Sequence, residues 1–531
     1  MEAATLRGPA RRRLLGLDGF ELATLLAFAA LAVCVLVGLL VRVWIKGGVV
    51  TGADGYLVVD PLQYLNWLNQ AGDHGLVRNL YDIAPSPRSF LHPGVLLAGL
   101  AHRAGLGLVA SYMLFKPVAI GALFCGALFY TRRFLPRRDD RRLALALALF
   151  ACSPVAALVG WGNLGSEFRQ FQFDLITGEL WTGSYLWGYL FTAIAVGIMP
   201  LGLLAYEKGR RGETKWIAWA AVAGLFAAWL QPWQGATFAG IVIVAELAVW
   251  IAKRERPPLL RAAIVLVATA LPLVYYAALS RLDDAWKLAG TANAASAFGG
   301  RAWIAIALGV GLLAIPAAFA YRRVPRDFGS LALRAWPPLA LAVYVLPLGT
   351  FPFHALQGLT LPLVVLGVLA WRRHLRDRPL PLLAALALAF LLIVPGTAYR
   401  IDNIRAAVSV GRQPDFLTTG EHDALGALQR NPAKGGVLTP VYLGLLVPAY
   451  TGRETWVGAG SWTPDLVARQ QQVEDLFAGK LSPAAARALV KRSGARFLLS
   501  DCHGRANISR TVSGFTDPPQ RYGCATVWRV R

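Results

Sequence analysis

The sequence predicts an α-helical polytopic membrane protein with about eleven transmembrane helices, followed by a small C-terminal α/β domain. Composition gives the first reason: 56% of the 531 residues are hydrophobic and only 16% are charged. The mean hydropathy of +0.49 gives the second, because a soluble chain of this size could not bury so much apolar surface. The third is that the apolar residues form runs of about 17–25 residues bounded by basic clusters.

Eleven segments have the length and apolarity of a membrane span. They are 21–45, 109–131, 143–160, 186–206, 215–231, 233–252, 259–279, 301–321, 334–350, 352–371 and 379–399. The first one follows the basic stretch "RGPARRRLLG". It is longer than the apolar region of a signal peptide and lacks a cleavage site, so we expect it to be retained.

Basic loops predict how these spans are oriented. "RRFLPRRDDRR", "EKGRRGETK", "KRERPP", "YRRVPRDFGSLALR" and "RRHLRDR" separate alternate spans, and short loops rich in Lys and Arg stay in the cytoplasm. The net charge of +23 therefore reflects orientation in the bilayer. No basic face interleaves with aromatic residues, so we expect no nucleic-acid partner. The protein is predicted to lie in the plasma (inner) membrane, with its N-terminus cytoplasmic.

The segment Phe90–Leu106, "FLHPGVLLAGLAHRAGL", tests this orientation. If it crossed the membrane, every later basic loop would lie outside, against the positive-inside rule. It also carries two histidines and an arginine, so we predict an interfacial helix. The region 46–108 then becomes one outer loop with two surface helices, inside a membrane domain that spans residues 1–399.

Residues 400–531 read as a separate extracytoplasmic α/β domain. "GEHDALGALQ", "PDLVARQQQVEDLFAGK" and "SPAAARALVKRSG" predict helices, and "GGVLTP", "ARFLLS" and "CATVWRV" predict strands. Alternating helices and strands indicate a sheet with helices packed on it. Cys502 and Cys524 are the two cysteines of this polar region, and an oxidising compartment predicts a disulfide between them.

Asp60 is the first candidate for chemistry, because it places a carboxylate directly after the first span. The stretch "VVDPLQY" can be explained by helix capping alone, with Asp60 as N-cap, Pro61 at the first helical position and Gln63 at the third. Capping and catalysis are compatible, however, because a cap fixes a carboxylate on a rigid element.

The first loop also resembles that of a known family. "VVDPLQYLNWLNQAGDHG", then "FLHPGVL", then a span from "ASYMLFKPVAIGALF" to "RRFLPRR" is similar to membrane glycosyltransferases of the GT-C fold. These include bacterial lipid A aminoarabinose transferases and protein O-mannosyltransferases. In that pattern an acid, a tyrosine and a basic residue or histidine before Pro-Pro correspond to Asp60, Tyr64 and His92. The match is partial: Pro61 stands in place of a second acid and Gly94 in place of the second proline.

The resemblance implies transfer of a sugar from a polyprenyl-phosphate donor to an envelope acceptor on the outer side, with inversion. A phosphate leaves as a stable anion, so one carboxylate acting on the acceptor hydroxyl suffices for catalysis, with cations to hold the phosphate. Asp60 is the candidate carboxylate. No cofactor is required by this scheme. The resemblance also allows a divalent cation, Mg²⁺ or Mn²⁺.

The remaining candidates lie near the predicted outer side. Lys116 is an intramembrane cation for the phosphate, with snorkelling to the interface as the alternative. Arg169 is a further cation, and Glu167 and Asp174 are alternatives for a second acid, each of which could instead be a solvated loop charge. Gln231, Gln234 and His354 stand at span ends as substrate ligands.

Two functions from other classes stay open at this point. A transporter or flippase would need charged or unwound elements near the midplane, whereas the acids here concentrate in predicted outer loops. An inactive GT-C-like scaffold in an envelope complex is compatible with the substitutions at Pro61 and Gly94.

Overall fold

The computed structural model describes residues 16–55, 58–297, 300–346, 351–374, 381–410, 415–504 and 506–531. The α-helices are α1 Gly19–Lys46, α2 Val59–His74, α3 Pro93–Arg103, α4 Leu108–Met113, α5 Phe115–Phe134, α6 Arg138–Phe150, α7 Pro154–Trp161, α8 Glu167–Leu180, α9 Thr182–Leu186, α10 Leu190–Arg210, α11 Lys215–Leu230, α12 Pro232–Lys253, α13 Leu259–Leu282, α14 Asp284–Ala297, α15 Gly300–Ala318, α16 Phe328–Val345, α17 Thr360–His374, α18 Leu382–Val410, α19 Thr419–Arg430, α20 Val441–Gly444, α21 Val447–Thr451, α22 Leu466–Phe477, α23 Pro483–Ser493 and α24 Ser509–Val512. The strands are β1 Val49–Val50, β2 Phe416–Leu417, β3 Val437–Leu438, β4 Phe497–Ser500, β5 Gln520–Tyr522 and β6 Ala525–Arg529.

Ten helices of the described chain are long and apolar enough to cross a membrane, so the prediction of a polytopic α-helical protein is confirmed. The eleventh predicted span is α11, which is apolar but has only 16 residues. One span is broken between α6 and α7, directly before Pro154. The backbone N–H of Cys152 in this break donates to Leu392 O of α18 at 2.8 Å, which satisfies a group that the bilayer could not.

Ion pairs gather the basic loops at one end of the bundle, here called the basic end. They join α5 to α1 and α10, α10 to α12, and α17 to α6, through Arg132–Glu21, Arg133–Glu207, Arg210–Glu246 and Arg372–Asp140. Each pair is partly buried, so its charges are paired where solvent screening is weak. The helix ends that meet there are those flanking the predicted cytoplasmic loops.

The opposite end of the bundle, here called the site end, carries the segment 46–108. Helices α2 and α3 occupy this segment, as the sequence predicted. Helix α3 has 11 residues, about half the number that a membrane crossing requires.

The C-terminal part contains a four-stranded sheet in the order β3-β4-β6-β5, with β3 and β4 parallel and the other pairs antiparallel. Strand β5 and the short helices α20, α21 and α24 were not expected from the sequence. Cys502 and Cys524 are joined as a disulfide, with their Cα atoms 5.0 Å apart.

The C-terminal part is attached to the first loop by backbone and side-chain contacts. Strand β2 pairs with β1 in an antiparallel ladder. The Asn69 side chain of α2 donates to Ala449 O at 2.9 Å, and Thr455 N donates to Leu80 O at 2.9 Å. Asp82 forms an ion pair with Arg469 at 2.8 Å. These contacts fix the C-terminal part over α2, where the cavity described next is found.

Candidate active site

A cavity of 330 Å³ opens at the site end, between α2 and the C-terminal part. Its walls come from α2, α8, α13, α14, the turn between α11 and α12, the segments before α3 and α10, residues 351–354 and the loop 460–462. Five side chains singled out from the sequence line it: Asp60, Tyr64, His92, Gln231 and His354. Gln234, Lys116 and Asp174 are not part of its lining.

Asp60 lies in the first turn of α2 and faces the cavity. The predicted capping role is wrong: Val58 is the N-cap residue, in helical conformation, and no side chain caps the helix. The carboxylate instead accepts a hydrogen bond from the Tyr189 hydroxyl at Oδ2, at 2.8 Å. Its second oxygen has no side-chain partner among the described residues. Burial raises the pKa of the Asp60 carboxyl, which makes it a stronger base than an exposed aspartate.

Two residues that sequence reasoning did not select complete the surroundings of Asp60. Tyr189 orients the carboxylate from the segment before α10. Glu179 of α8 is buried and accepts from Gln357 Nε2 at 2.6 Å, with His354 Nδ1 at 3.1 Å. The sequence "GELWTGSYLWGYL" contains this acid among aromatic residues. Glu179 and Tyr189 are ten residues apart there, and only the packing of α8 and α9 brings both of them near the cavity.

His354 is held by this network from the segment before α17. Its Nδ1 faces Glu179, and its ring lies 5.9 Å from that of Tyr189 and 5.1 Å from that of Trp233. Within the described residues its Nε2 has no hydrogen-bond partner, and the residue lines the cavity. Glu179 therefore fixes the orientation of the imidazole and leaves one ring nitrogen for a substrate.

Tyr64 and His92 form the cavity wall beside Phe191. The Tyr64 ring lies 5.2 Å from that of Phe191, and the His92 ring 4.8 Å. His92 is the N-cap of α3, with Nδ1 accepting from Val95 N at 3.2 Å. Burial lowers the pKa of His92 to about 4, so it is neutral at physiological pH and supplies no positive charge for a phosphate.

Gly94 explains one departure from the family pattern. A Cβ atom at this position would lie 2.4 Å from the Phe191 ring. The ring therefore fills the space that a second proline would take, and the wall of the cavity is closed by an aromatic side chain.

Lys116 does not reach the cavity. Its ammonium forms an ion pair with Asp54 at 2.5 Å and donates to Leu186 O at 2.7 Å and Ala32 O at 3.0 Å. Both side chains are buried, so the snorkelling alternative is wrong. All three protons are directed at protein acceptors, which leaves the phosphate role predicted for Lys116 without support.

Asp174 is likewise turned away from the cavity. It faces α18, where Arg400 Nη1 lies 3.3 Å from Oδ1 and the Tyr399 hydroxyl donates to Oδ2 at 3.1 Å. Arg400 is fully buried, so this pair ties α8 to α18. Glu167 and Arg169 belong to the first turn of α8, but their side chains lie outside the described part of the structure.

Gln231 and Gln234 stand at the N-terminus of α12, next to the cavity. Gln231 Nε2 donates to Thr192 Oγ1 at 3.0 Å and to Gln357 Oε1 at 3.1 Å. Gln234 Nε2 donates to Gln357 O at 3.0 Å, so it supports the wall from behind. Helix α12 has no side-chain cap, and its first residues, Pro232 and Trp233, line the cavity. The positive end of its dipole thus points at the cavity.

The described cavity lining offers few protein ligands for a divalent cation. Such an ion takes about six or more oxygen ligands, and no group of three His, Cys, Asp or Glu side chains is placed to hold a metal among the described residues. Asp60 is the one carboxylate of the described cavity lining, and Glu179 directs Oε2 to His354 and Gln357. One protein carboxylate does not form a metal centre by itself, so Mg²⁺ or Mn²⁺ would take most of its ligands from phosphate oxygens and water, and no chemical step is assigned to one.

An apolar groove of 950 Å³ runs along one face of α11, toward α5 and α10. Its α11 lining repeats at helical spacing and consists of Trp216, Trp219, Val222, Ala223, Phe226 and Leu230. Leu230 also lines the cavity. From Trp216 to Leu230 the helix rises about 21 Å, so the groove connects the cavity wall to the basic end.

No family model matches the sequence, and no curated protein does. Solved structures do match in fold. An oligosaccharyltransferase of Archaeoglobus fulgidus, solved with a tethered acceptor peptide containing the NVT sequon, is similar with a TM-score of 0.50 and 14% identity. The match covers 91% of this chain and 69% of that one. ArnT of Cupriavidus metallidurans, solved with undecaprenyl phosphate, has a TM-score of 0.48 and 12% identity, over 95% and 98% of the two chains. At 14% identity the likeness to the Archaeoglobus structure concerns the fold alone, and by this likeness the chain has the GT-C fold.

Proposed function

We propose that this protein is a membrane glycosyltransferase that moves a sugar from a polyprenyl-phosphate donor to a hydroxyl of an envelope acceptor. The observation that carries the proposal is the position of Asp60. Its carboxylate faces a cavity, is oriented by Tyr189 at 2.8 Å, and lies next to the uncapped N-terminus of α12. A base and an anion-binding element therefore meet in one space.

In this mechanism the acceptor hydroxyl binds to the free oxygen of Asp60, which takes its proton as the oxygen attacks the anomeric carbon. The bond between that carbon and the phosphate oxygen breaks, and polyprenyl phosphate leaves with both bonding electrons. A single displacement of this kind inverts the anomeric centre. The raised pKa of Asp60 favours the proton transfer, because a general base works best with a pKa near the working pH.

The leaving phosphate is assigned to the N-terminus of α12 and to the Nε2 side of His354, which donates to the phosphate in the imidazolium form because Nδ1 faces Glu179. Backbone N–H groups at a helix N-terminus bind phosphate. At this terminus Pro232 has no N–H, and the N–H groups of Gln234 and Gly235 donate to Gln231 O, so the Trp233 N–H and the helix dipole serve the phosphate. No lysine or arginine belongs to the described cavity lining, so the cations expected from the sequence are replaced by a helix dipole and an imidazole. Glu179 positions that imidazole through Nδ1.

The polyprenyl chain of the donor is assigned to the groove along α11. Thirteen of its eighteen described lining residues are uncharged, and large side chains there, such as Trp219 and Phe226, are exposed at the bundle surface. The five charged lining residues belong to α5 and α10 and to the turn after α10: Arg132, Arg133, Glu207, Lys208 and Arg211. Leu230 belongs to both the groove and the cavity. A donor with its phosphate at α12 could therefore extend its isoprene units away from the cavity without leaving an apolar surface.

We place the cavity and residues 400–531 on the outer side of the plasma membrane. The basis is the collection of basic loops at the opposite end of the bundle. The acceptor would then be a glycolipid, polysaccharide or protein of the envelope. A transporter or flippase is less well supported, because the polar cavity lies at one end of the bundle.

Purified protein in proteoliposomes, supplied with a panel of radiolabelled undecaprenyl-phosphate sugars, tests this function. We expect release of the label from one donor, to water or to added membrane extract, in the wild type and not in Asp60→Asn. Equal release by the two proteins would show that Asp60 is not the base. No release from any donor in the panel, by protein that is folded, would contradict the proposed donor class.

A further inference from the structure

One wall of the cavity consists of aromatic rings from the first loop, from α14 and from the C-terminal part. Trp67 belongs to α2, Trp286 to α14 and Trp462 to the C-terminal part. The Trp462 ring lies 5.7 Å from that of Trp67 and 5.3 Å from that of Trp286, and Phe90 lies 4.6 Å from Trp67. These four residues are called the aromatic wall below. All four line the cavity.

Gln63 is the polar group beside this wall. It lies one turn before Trp67 on α2, lines the cavity and is 4% exposed. Neither its Nε2 nor its Oε1 has a hydrogen-bond partner among the described residues. Buried side-chain amides are nearly always satisfied in folded proteins. The exception here, at a cavity surface, indicates that a ligand supplies both an acceptor and a donor to Gln63.

The Trp462 loop is held in place from two sides. Asn79 Nδ2 donates to Trp462 O at 2.8 Å. Asn293 Nδ2 of α14 donates to the Ser461 hydroxyl at 3.1 Å, and both of these residues line the cavity. The wall is therefore fixed by contacts that join the membrane domain to the C-terminal part.

The position of the wall relative to Asp60 follows from α2. Asp60, Gln63, Tyr64 and Trp67 lie on one face of this helix, and seven residues correspond to a rise of about 10 Å. An occupant of the wall thus lies beyond the reacting atoms and within reach of a molecule that has one end at Asp60.

The side chains of the aromatic wall and its polar neighbours indicate which class of ligand binds there. None of the four wall residues, Gln63, Asn293 or Ser461 carries a formal charge, so a phosphate or a charged peptide would find no counter-charge there. A pyranose ring has an apolar C–H face that packs on an aromatic ring and a hydroxyl rim that exchanges hydrogen bonds with an amide. The aromatic wall and Gln63 offer these two surfaces together.

We propose that Trp67, Trp286, Trp462 and Gln63 form a second, neutral pyranose-binding subsite, with Trp462 contributed by the C-terminal part. Along α2 the subsite extends from Gln63, about 4.5 Å from Asp60, to Trp67, about 10 Å from it. The proposal rests on the proposed glycosyl transfer for its role. The ring it holds belongs either to the acceptor or to a further sugar of the donor.

Binding is tested without activity, by saturation-transfer NMR on purified full-length protein with methyl glycopyranosides of glucose, galactose, mannose and N-acetylglucosamine. We expect transfer to the ring protons of at least one glycoside in the wild type and equally in Asp60→Asn. Transfer should fall at least fivefold in Trp462→Ala and in Gln63→Leu. Trp250→Ala, at an exposed position on α12, is the matched control and should bind as the wild type does.

If Trp462→Ala does not fold, the Gln63→Leu variant still tests whether the subsite binds a glycoside. The Gln63 amide has no partner within the described protein, so its replacement removes no intramolecular hydrogen bond and should not lower the melting temperature. Unchanged transfer in a folded Gln63→Leu variant overturns the subsite. Transfer to a threonine-containing peptide and to none of the glycosides overturns it as well.

The donor assay shows whether the sugar ring in the subsite belongs to the donor or to the acceptor. If both hydrolysis of labelled donor in water and transfer to an added glycoside fall in Trp462→Ala, the subsite holds a donor sugar. If transfer alone falls, it holds an acceptor sugar. If neither falls, the subsite is not used by the enzyme and the proposal is wrong. A wild type that consumes no donor but binds glycosides contradicts the proposed function and leaves the subsite standing.

Discussion

Replacement of Asp60 by asparagine should remove nearly all sugar transfer and leave the fold intact. Asparagine keeps a side-chain oxygen that can accept the hydrogen bond that the Tyr189 hydroxyl donates to Asp60 Oδ2 at 2.8 Å, so this hydrogen bond is retained. It cannot take a proton. The loss of a general base reduces rates by about 10²–10⁴-fold, which corresponds to roughly 3–5 kcal/mol in the activation free energy.

Stability should hardly change in this variant, because Asp60 caps no helix and burial already disfavours its charged form, as its raised pKa shows. Melting temperature in detergent measures the fold, and release of label from the polyprenyl-phosphate donor measures the activity. Asp73→Asn, at an exposed position near the other end of α2, is the matched control and should be fully active. A variant Asp60→Asn with normal transfer rates would refute the assignment of the base.

Asp54 is unsuitable as a control, although it is the nearest preceding carboxylate in the sequence. It is fully buried and paired with Lys116. Its replacement would leave a buried ammonium without a counter-charge, which typically destabilises a protein by about 3–5 kcal/mol. Loss of activity in Asp54→Asn would therefore report unfolding and not catalysis.

Three further predictions follow from the same contacts. Activity should fall as the pH is lowered through the raised pKa of Asp60, with a midpoint above the ordinary carboxyl value of about 4. A pH–rate profile of donor release measures this midpoint, and a midpoint at or below about pH 4 would contradict the assignment of a buried base. Asp54→Asn and Lys116→Met should each lower the melting temperature, and the double variant should recover part of the loss, whereas additive losses would mean that the two side chains are not coupled. A reporter active only outside the membrane, fused at Arg137, should be silent, and a signal there would reverse the proposed orientation.

The membrane helices could be predicted because each needs only a local property, an apolar run bounded by charge. Their ends were less accurate: the span predicted as 143–160 begins at Arg138 and breaks before Pro154. The break could be located afterwards from the proline, which removes a backbone donor. Whether the helix bends or stops there depends on α18, whose Leu392 supplies the acceptor for Cys152.

The site was predictable only in part. Asp60, His92 and His354 stand at the ends of apolar runs, where a cavity at the bundle surface can reach them. Glu179 and Lys116 show the limit. Both are charged residues in apolar surroundings, and only tertiary packing decides that Glu179 meets His354 near the cavity while Lys116 meets Asp54, 62 residues away, in the interior.

The C-terminal part is therefore better understood as one wall of the candidate active site than as an appended domain. Its contacts with the first loop, from the β1–β2 ladder to the Asp82–Arg469 pair, fix the loop that carries Trp462. Because these contacts lie on the same segment that carries Asp60, a shift of the C-terminal part would move the aromatic wall and the base relative to each other. The proposed transfer from a lipid-linked donor to a polar acceptor needs such a coupling, since a misplacement of about 1 Å is enough to reduce catalysis strongly.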